Sequence, residues 1–134
     1  MRDVSWRSSP RLAVYAVGGN ALSDPALKGA EARSAAEAVM HDVLEDVVDL
    51  LEAGIRVVIT HGNGPQVGEL LLMEESLFER RRVESSNFTP QPLGLDNWVA
   101  ATQGTLGHEI ATNLDNILQA RGRHEQVVTL LTRV

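Results

Sequence analysis

The 134-residue sequence contains no cysteine. That excludes a disulfide framework, a thiolate metal site and a cysteine nucleophile. Lysine occurs once, as Lys28 in Leu27-Lys28-Gly29. A phosphate-binding P-loop needs Gly-Lys-Ser or Gly-Lys-Thr, so that loop is excluded as well. Positive charge is scarce: 12 Lys and Arg stand against 18 Asp and Glu, a net charge of -6. Such a balance argues against a nucleic-acid partner. Arg80-Arg81-Arg82 is the only basic run and reads as solvated surface. No apolar run approaches the roughly 18 residues that a membrane helix needs, so no membrane partner is expected. Leu12 to Val17 is too short for a signal-peptide core and ends in Gly-Gly. The lack of cysteine and of an export signal is compatible with a reducing cytoplasm, the expected compartment. His41, His61, His108 and His124 have no metal-ligand spacing, and no metal site is expected. His108-Glu109 makes half of a zinc helix motif, but Thr112 stands where the second histidine would be. Asn87-Phe88-Thr89 fits the glycosylation pattern and, with no export signal, reads as chance.

What is present is enough for a core. Hydrophobic residues make up 43% of the chain, which excludes wholesale disorder and fits one small domain. Residues 1–10 are polar and read as a flexible arm, with residues 11–134 as the domain. Leu12 to Val17, LAVYAV, reads as a short buried strand closed by Gly18-Gly19. Ser23 to Gly29 reads as a loop. A helix is expected from about Ala32 to Ala53. There Val39, Val43, Val47 and Leu51 recur every four residues beside Met40, Leu44 and Val48. Gly54 suits the left-handed residue that closes many helices. Ile55 to Thr60 reads as a second buried strand. The turn His61–Pro65 leads into a helix from about Pro65 to Arg80, with proline at its favoured first position. Residues 81–92 read as a polar excursion. A helix from about Leu95 to Arg121 follows, with a break expected near Gly104 and Gly107. Val127 to Leu131, VVTLL, reads as a third strand.

Strands alternating with helices imply a parallel sheet with helices on its faces. Ligands bind such sheets beyond the carboxyl ends of the strands. Two turns of like composition lie there: Gly18-Gly19-Asn20 and His61-Gly62-Asn63-Gly64. Glycine lets backbone N–H groups approach a ligand. A helix that begins in the turn adds unpaired N–H groups and partial positive charge. Asn20 and Asn63 each bring an amide able to donate to an oxyanion. One such turn could simply be a sharp strand-to-helix connection. Two turns of the same pattern favour a phosphate or carboxylate cradle. Gly62, Gly64 and Gly68 approach a dinucleotide fingerprint, but the spacing is one residue too long and the turn follows the second strand.

AVGGNAL (Ala16 to Leu22), VVITHGNGPQVGELLL (Val57 to Leu72), PLGLDNWVAATQGTLGHEI (Pro92 to Ile110) and VVTLLTRV (Val127 to Val134) together resemble the amino-terminal part of carbamate kinases, members of the amino-acid kinase superfamily. HGNGPQVG is the most specific of these stretches. The resemblance implies an α/β fold, a three-layer αβα arrangement around a mainly parallel sheet, and a homodimer. It implies reversible phosphoryl transfer between ATP and carbamate, giving carbamoyl phosphate and ADP with Mg2+, a reaction of arginine metabolism. It also implies that Gly18, Gly19, Asn20, Gly62, Asn63 and Gly64 hold the transferring phosphoryl group and the carbamoyl end.

Two departures from the family stand out. Gly94-Leu95-Asp96-Asn97-Trp98 replaces an Asp-Val-Cys-Gly-like run, and the large Trp98 either reshapes the pocket or packs on a helix face. The chain also covers less than half of the family's length. The charge-neutralising lysines and nucleotide site that the family implies are expected beyond Val134. The expectation is therefore a truncated or split kinase, inactive alone and binding no cofactor by itself. The alternatives are a non-catalytic anion-binding or interaction module and a kinase for another small acid.

Overall fold

The computed structural model describes residues 11–18, 29–85, 87 and 89–133. The 1–10 arm, Gly19, Asn20, Lys28 and most of the expected Ser23–Gly29 loop lie outside them. The element order is β1 (Leu12–Val17), α1 (Gly29–Glu52), β2 (Arg56–His61), α2 (Gly64–Glu84) and α3 (Leu95–Ala120). β1 and β2 pair in parallel, from Leu12 opposite Arg56 to Val17 opposite His61. This is a mixed α/β fold with a parallel sheet, as the sequence implies.

Alternation decides which side of the sheet is covered. Ala13, Tyr15 and Val17 of β1, and Val57, Ile59 and His61 of β2, turn toward the helices and are at least half-buried. Their neighbours point the other way, and Leu12, Val14 and Val58 are exposed there. The core lies between the helix-side face, α1 and α3. It joins Val17, Met40, Leu44, Val47 and Val48 to Ile110, Leu114, Ile117 and Leu118. Thus the i, i+4 stripe read in α1 is the core stripe, except that Val39 at its start is 38% exposed.

Both core helices end in the same way. Gly54 has φ 74°, its N–H donates to Leu51 O, and Ile55 N–H donates to Leu50 O. Gly122 has φ 68°, with Gly122 N–H on Gln119 O and Arg123 N–H on Leu118 O. These are paired 6→1 and 5→2 bonds about a left-handed glycine, which satisfy the last carbonyls and turn the chain sharply. Beside the second of these turns, Arg121 reaches across to α1. It bonds Asp49 at 2.6 Å and also engages Glu45 and Glu52. Those carboxylates raise its pKa, Asp49 foremost. Tyr15 donates to Asp46 at 3.1 Å, and that bond raises the phenol's pKa.

Three boundaries differ from expectation, and each has a physical cause. α2 runs on to Glu84, so Arg81 and Arg82 stand in its last turn rather than in an excursion. Cations there complement the helix dipole. α3 is unbroken across Gly104 and Gly107. Gly107 is needed because residues 125–132 return along the helix, whereas a Cβ on Gly104 would meet Leu131 Cδ2 only at an ordinary 4.0 Å. A Cβ on Gly107 would lie 2.3 Å from Thr129 Cγ2, and Thr129 Oγ1 donates to Gly107 O at 3.0 Å.

The third difference is Val127–Leu131, which is not a strand among the described residues. The segment runs beside α3, anchored by Thr129 and by Thr132 N–H on Gln103 Oε1 at 2.9 Å. A strand is defined by ladder bonds to a neighbour, and this segment has no strand alongside it. Gly107→Val is expected to push the segment off α3 at a cost of about 1–3 kcal/mol, the usual range for overpacking. Urea unfolding and amide exchange at Thr129 would test this. An unchanged midpoint with Thr129 still protected would refute the close approach.

Candidate functional site

Gly18, from the first turn read in the sequence, and the Gly62–Gly64 turn meet at one edge of the sheet. Because β1 and β2 are parallel and in register, both leave the sheet at their carboxyl ends together. Gly62 N–H donates to Val17 O at 3.3 Å, which sets Gly18 beside Gly62. Gly18 is exposed, and a Cβ at either Gly18 or Gly64 would meet nothing within 4 Å. Gly19 and Asn20 lie outside the described residues.

The second turn opens directly into α2. Asn63 is the residue before the helix, and its side chain makes no capping bond. Pro65 has no N–H to offer. Val67 N–H closes the first helical bond on Asn63 O at 3.0 Å. The N–H groups of Asn63, Gly64 and Gln66 therefore remain without intrahelical acceptors, as the first turn of any helix requires. They stand at the positive end of a 21-residue helix. Free N–H groups at the start of a helix are the kind of donors that can receive an anion.

The Asn63 side chain does something the sequence did not suggest. Its Nδ2 donates to Val99 O at 3.0 Å and to Thr102 Oγ1 at 2.7 Å, both on α3. Thr102 is 3% exposed and also bonds back to the α3 backbone at Trp98 O and Val99 O. Both amide hydrogens of Asn63 are committed to α3. Where an oxyanion donor was expected, the side chain is a strut that ties the turn to α3. Thr102 was not singled out from sequence, since a threonine within a helical run carries no signal of a partner 39 residues away.

His61 ends β2 half-buried, with Nδ1 3.3 Å from Gly62 O. Gln66 is another residue the reading passed over: its Oε1 is buried and has no partner among the described residues. It lines a cavity of about 370 Å3 between α1, α2 and α3. Trp98 is placed firmly. Its indole N–H donates to Glu74 Oε2 at 3.2 Å, and Leu93 N–H donates to the other oxygen of Glu74 at 2.8 Å. Trp98 therefore ties the start of α3 to α2, the packing alternative read for it. Among the described residues no three or more His, Asp or Glu side chains gather where they could hold a metal ion. None of their helices is long and apolar enough to cross a membrane.

The fold is a βαβ unit in which Gly18 and the Gly62–Gly64 turn share one edge of a parallel sheet and the second turn opens a helix. The family model described as the amino acid kinase family matches residues 11–133. The chain belongs to that family. Among its relatives, the carbamate kinase of Lentilactobacillus hilgardii is 35% identical over 124 residues, 92% of this chain and 35% of that protein. Carbamate kinase 1 of Enterococcus faecium is 36% identical over 90% of this chain, again 35% of that protein. The carbamate kinase of Pyrococcus furiosus is 36% identical over 123 residues. Among solved structures, carbamate kinase from Giardia lamblia bound to AMP-PNP superposes with a TM-score of 0.67 at 26% identity, covering 87% of this chain and 37% of that one. The chain thus spans little more than a third of the proteins it matches.

Proposed function

We propose that the chain is the phosphoryl-side portion of a carbamate kinase-like phosphotransferase. The complete domain would transfer phosphate reversibly between ATP and carbamate, giving carbamoyl phosphate and ADP, as a cytoplasmic homodimer. The observation that carries this reading is the pairing of Gly18 with the Gly62–Gly64 turn at the uncapped start of α2. Phosphoryl transfer asks the protein mainly for position and for donors aimed at the phosphoryl oxygens. Gly18, Gly19, Asn20, Gly62, Asn63 and Gly64 are the residues assigned to hold the phosphoryl and carbamoyl groups. In this assignment the backbone of 63, 64 and 66 donates, and the Asn63 side chain holds that backbone in place.

When bound, the nucleotide would donate or accept the phosphoryl group and Mg2+ would offset its negative charge. The described residues contain no acidic cluster that fits a metal, so both are assigned to the part of the domain that this chain does not span. By itself the 134-residue chain is expected to bind a small phosphorylated anion and to transfer nothing. Trp98, held by Glu74 between α2 and α3, gives no support to a pocket remodelled for a different acid.

Titration of the 15N-labelled chain with carbamoyl phosphate tests the assignment. Amide shifts that saturate at Gly18 and at 62–66, with no ADP phosphorylation, are expected. Shifts confined to other residues, or none at millimolar ligand, would remove the cradle. Turnover by the chain alone would remove the division of labour.

A further inference from the structure

The cavity of about 370 Å3 between α1, α2 and α3 is built from one stripe of each helix. Gln66, Glu69 and Leu70 share a face of α2 at spacings of three and four residues. Thr102, Thr105, Leu106 and Glu109 repeat that spacing on α3, and Met40 faces them from α1. Burial separates the two ends of the cavity. Met40, Thr102 and Leu106 are buried and close its inner end. Glu69, Thr105 and Glu109 are exposed and form its rim.

The polar groups that line it call for a donor. Gln66 Oε1 is buried and has no partner among the described residues. A buried acceptor left unpaired costs free energy, so such a group needs a physical reason. The neighbouring hydroxyls cannot supply the missing donor. Thr102 Oγ1 donates to Trp98 O and Val99 O, and Thr105 Oγ1 donates to Ala101 O. Glu69 and Glu109 add two carboxylates, which only accept when ionised. Neither is in an ion pair among the described residues. The cavity thus presents acceptors and negative charge over apolar walls.

A metal ion does not suit it. Two carboxylates and one amide oxygen fall short of a metal cluster, and among the described residues no such cluster gathers. An organic cation suits it better. A guanidinium is planar, carries several N–H donors and is more weakly hydrated than an ammonium, so it is easier to bury. An amidinium shares that planar, delocalised head.

We propose that this cavity is a binding site for a small planar organic cation of the amidinium or guanidinium class. One N–H of the head would donate to Gln66 Oε1. The positive charge would face Glu69 and Glu109, and the apolar body would lie against Met40, Leu70 and Leu106. The proposal rests on the cavity alone. It stands whether or not the glycine turn handles phosphate.

Benzamidine is the probe, titrated into the 15N-labelled 134-residue chain. Saturable amide shifts in the millimolar range are expected at Gln66, Glu69, Leu70, Thr105, Leu106 and Glu109. Benzamide, neutral and of the same shape, should bind at least about tenfold more weakly, because it lacks charge-assisted bonds. Benzoate, of opposite charge, should not bind. Gln66→Leu keeps the bulk and removes the acceptor. It should weaken benzamidine at least about tenfold and leave the urea midpoint no lower. Glu109→Gln, on the exposed rim, does not put folding at stake. It should weaken benzamidine about threefold, the scale of an exposed charge pair. No saturable shift at these residues overturns the proposal. So does benzoate binding as tightly as benzamidine. Full affinity in Gln66→Leu or in Glu109→Gln overturns it too.

Discussion

Asn63→Ala is expected to lower transfer in a complete enzyme by up to roughly 3–4 kcal/mol, about 100- to 1,000-fold in kcat, if the turn's donors stabilise the transferring group. The route is indirect. Alanine deletes both bonds to α3, while the Thr102 hydroxyl keeps its bonds to Trp98 O and Val99 O. The turn is then free to move, and with it the N–H groups of 63, 64 and 66. Stability should fall as well, by about 0.5–1.5 kcal/mol for each hydrogen bond lost. Thr102→Val separates a strut from a direct donor. It removes one anchor without touching the turn, so a positioning role predicts a partial copy of the Asn63→Ala defect. A defect confined to Asn63→Ala would restore the side chain as a direct donor. Full activity in both variants would reduce the turn to scaffold.

Leu44→Ala is expected to cost about 2–5 kcal/mol. Leu44 is fully buried at the centre of the α1 stripe, in the cluster that joins Val17 of β1 to Ile110, Leu114 and Leu118 of α3. A domain commonly holds only about 5–15 kcal/mol in total. Val39→Ala, four and five residues from Val43 and Leu44 on the same helix, is the control. Val39 is 38% exposed, and its truncation should change stability by no more than about 0.5 kcal/mol. Urea midpoints of the two variants measure the contrast. Equal midpoints would mean that α1 does not pack on α3 as described.

The local parts of the fold were open to sequence reading because local physics determines them. β1 falls on Leu12–Val17 as read, and Gly54 and Gly122 close their helices with positive φ. The α1 stripe needs only its own periodicity to be seen. What escaped depends on residues far apart in the chain. Gly104 and Gly107 read as breaks; for Gly107, a glycine demanded by another segment's approach looks the same as one that weakens a helix. Val127–Leu131 has the composition of a strand, but composition cannot supply a neighbour to pair with. At the site, the nearness of Gly18 to the Gly62–Gly64 turn was legible, because parallel strands in register bring their carboxyl ends together. The destination of the Asn63 amide was not, because its acceptors lie 36 and 39 residues away.

The sharing of one apolar stripe between α1 and α3 also bears on how the chain comes off the ribosome. β1, α1 and β2 are complete once His61 has been made, yet Leu44, Val47 and Val48 are covered by residues of α3. At about 5–20 residues per second, synthesis leaves that stripe uncovered for on the order of several seconds. During that interval the nascent chain presents an uncovered apolar surface. The βαβ unit cannot complete this core until α3 has cleared the exit tunnel.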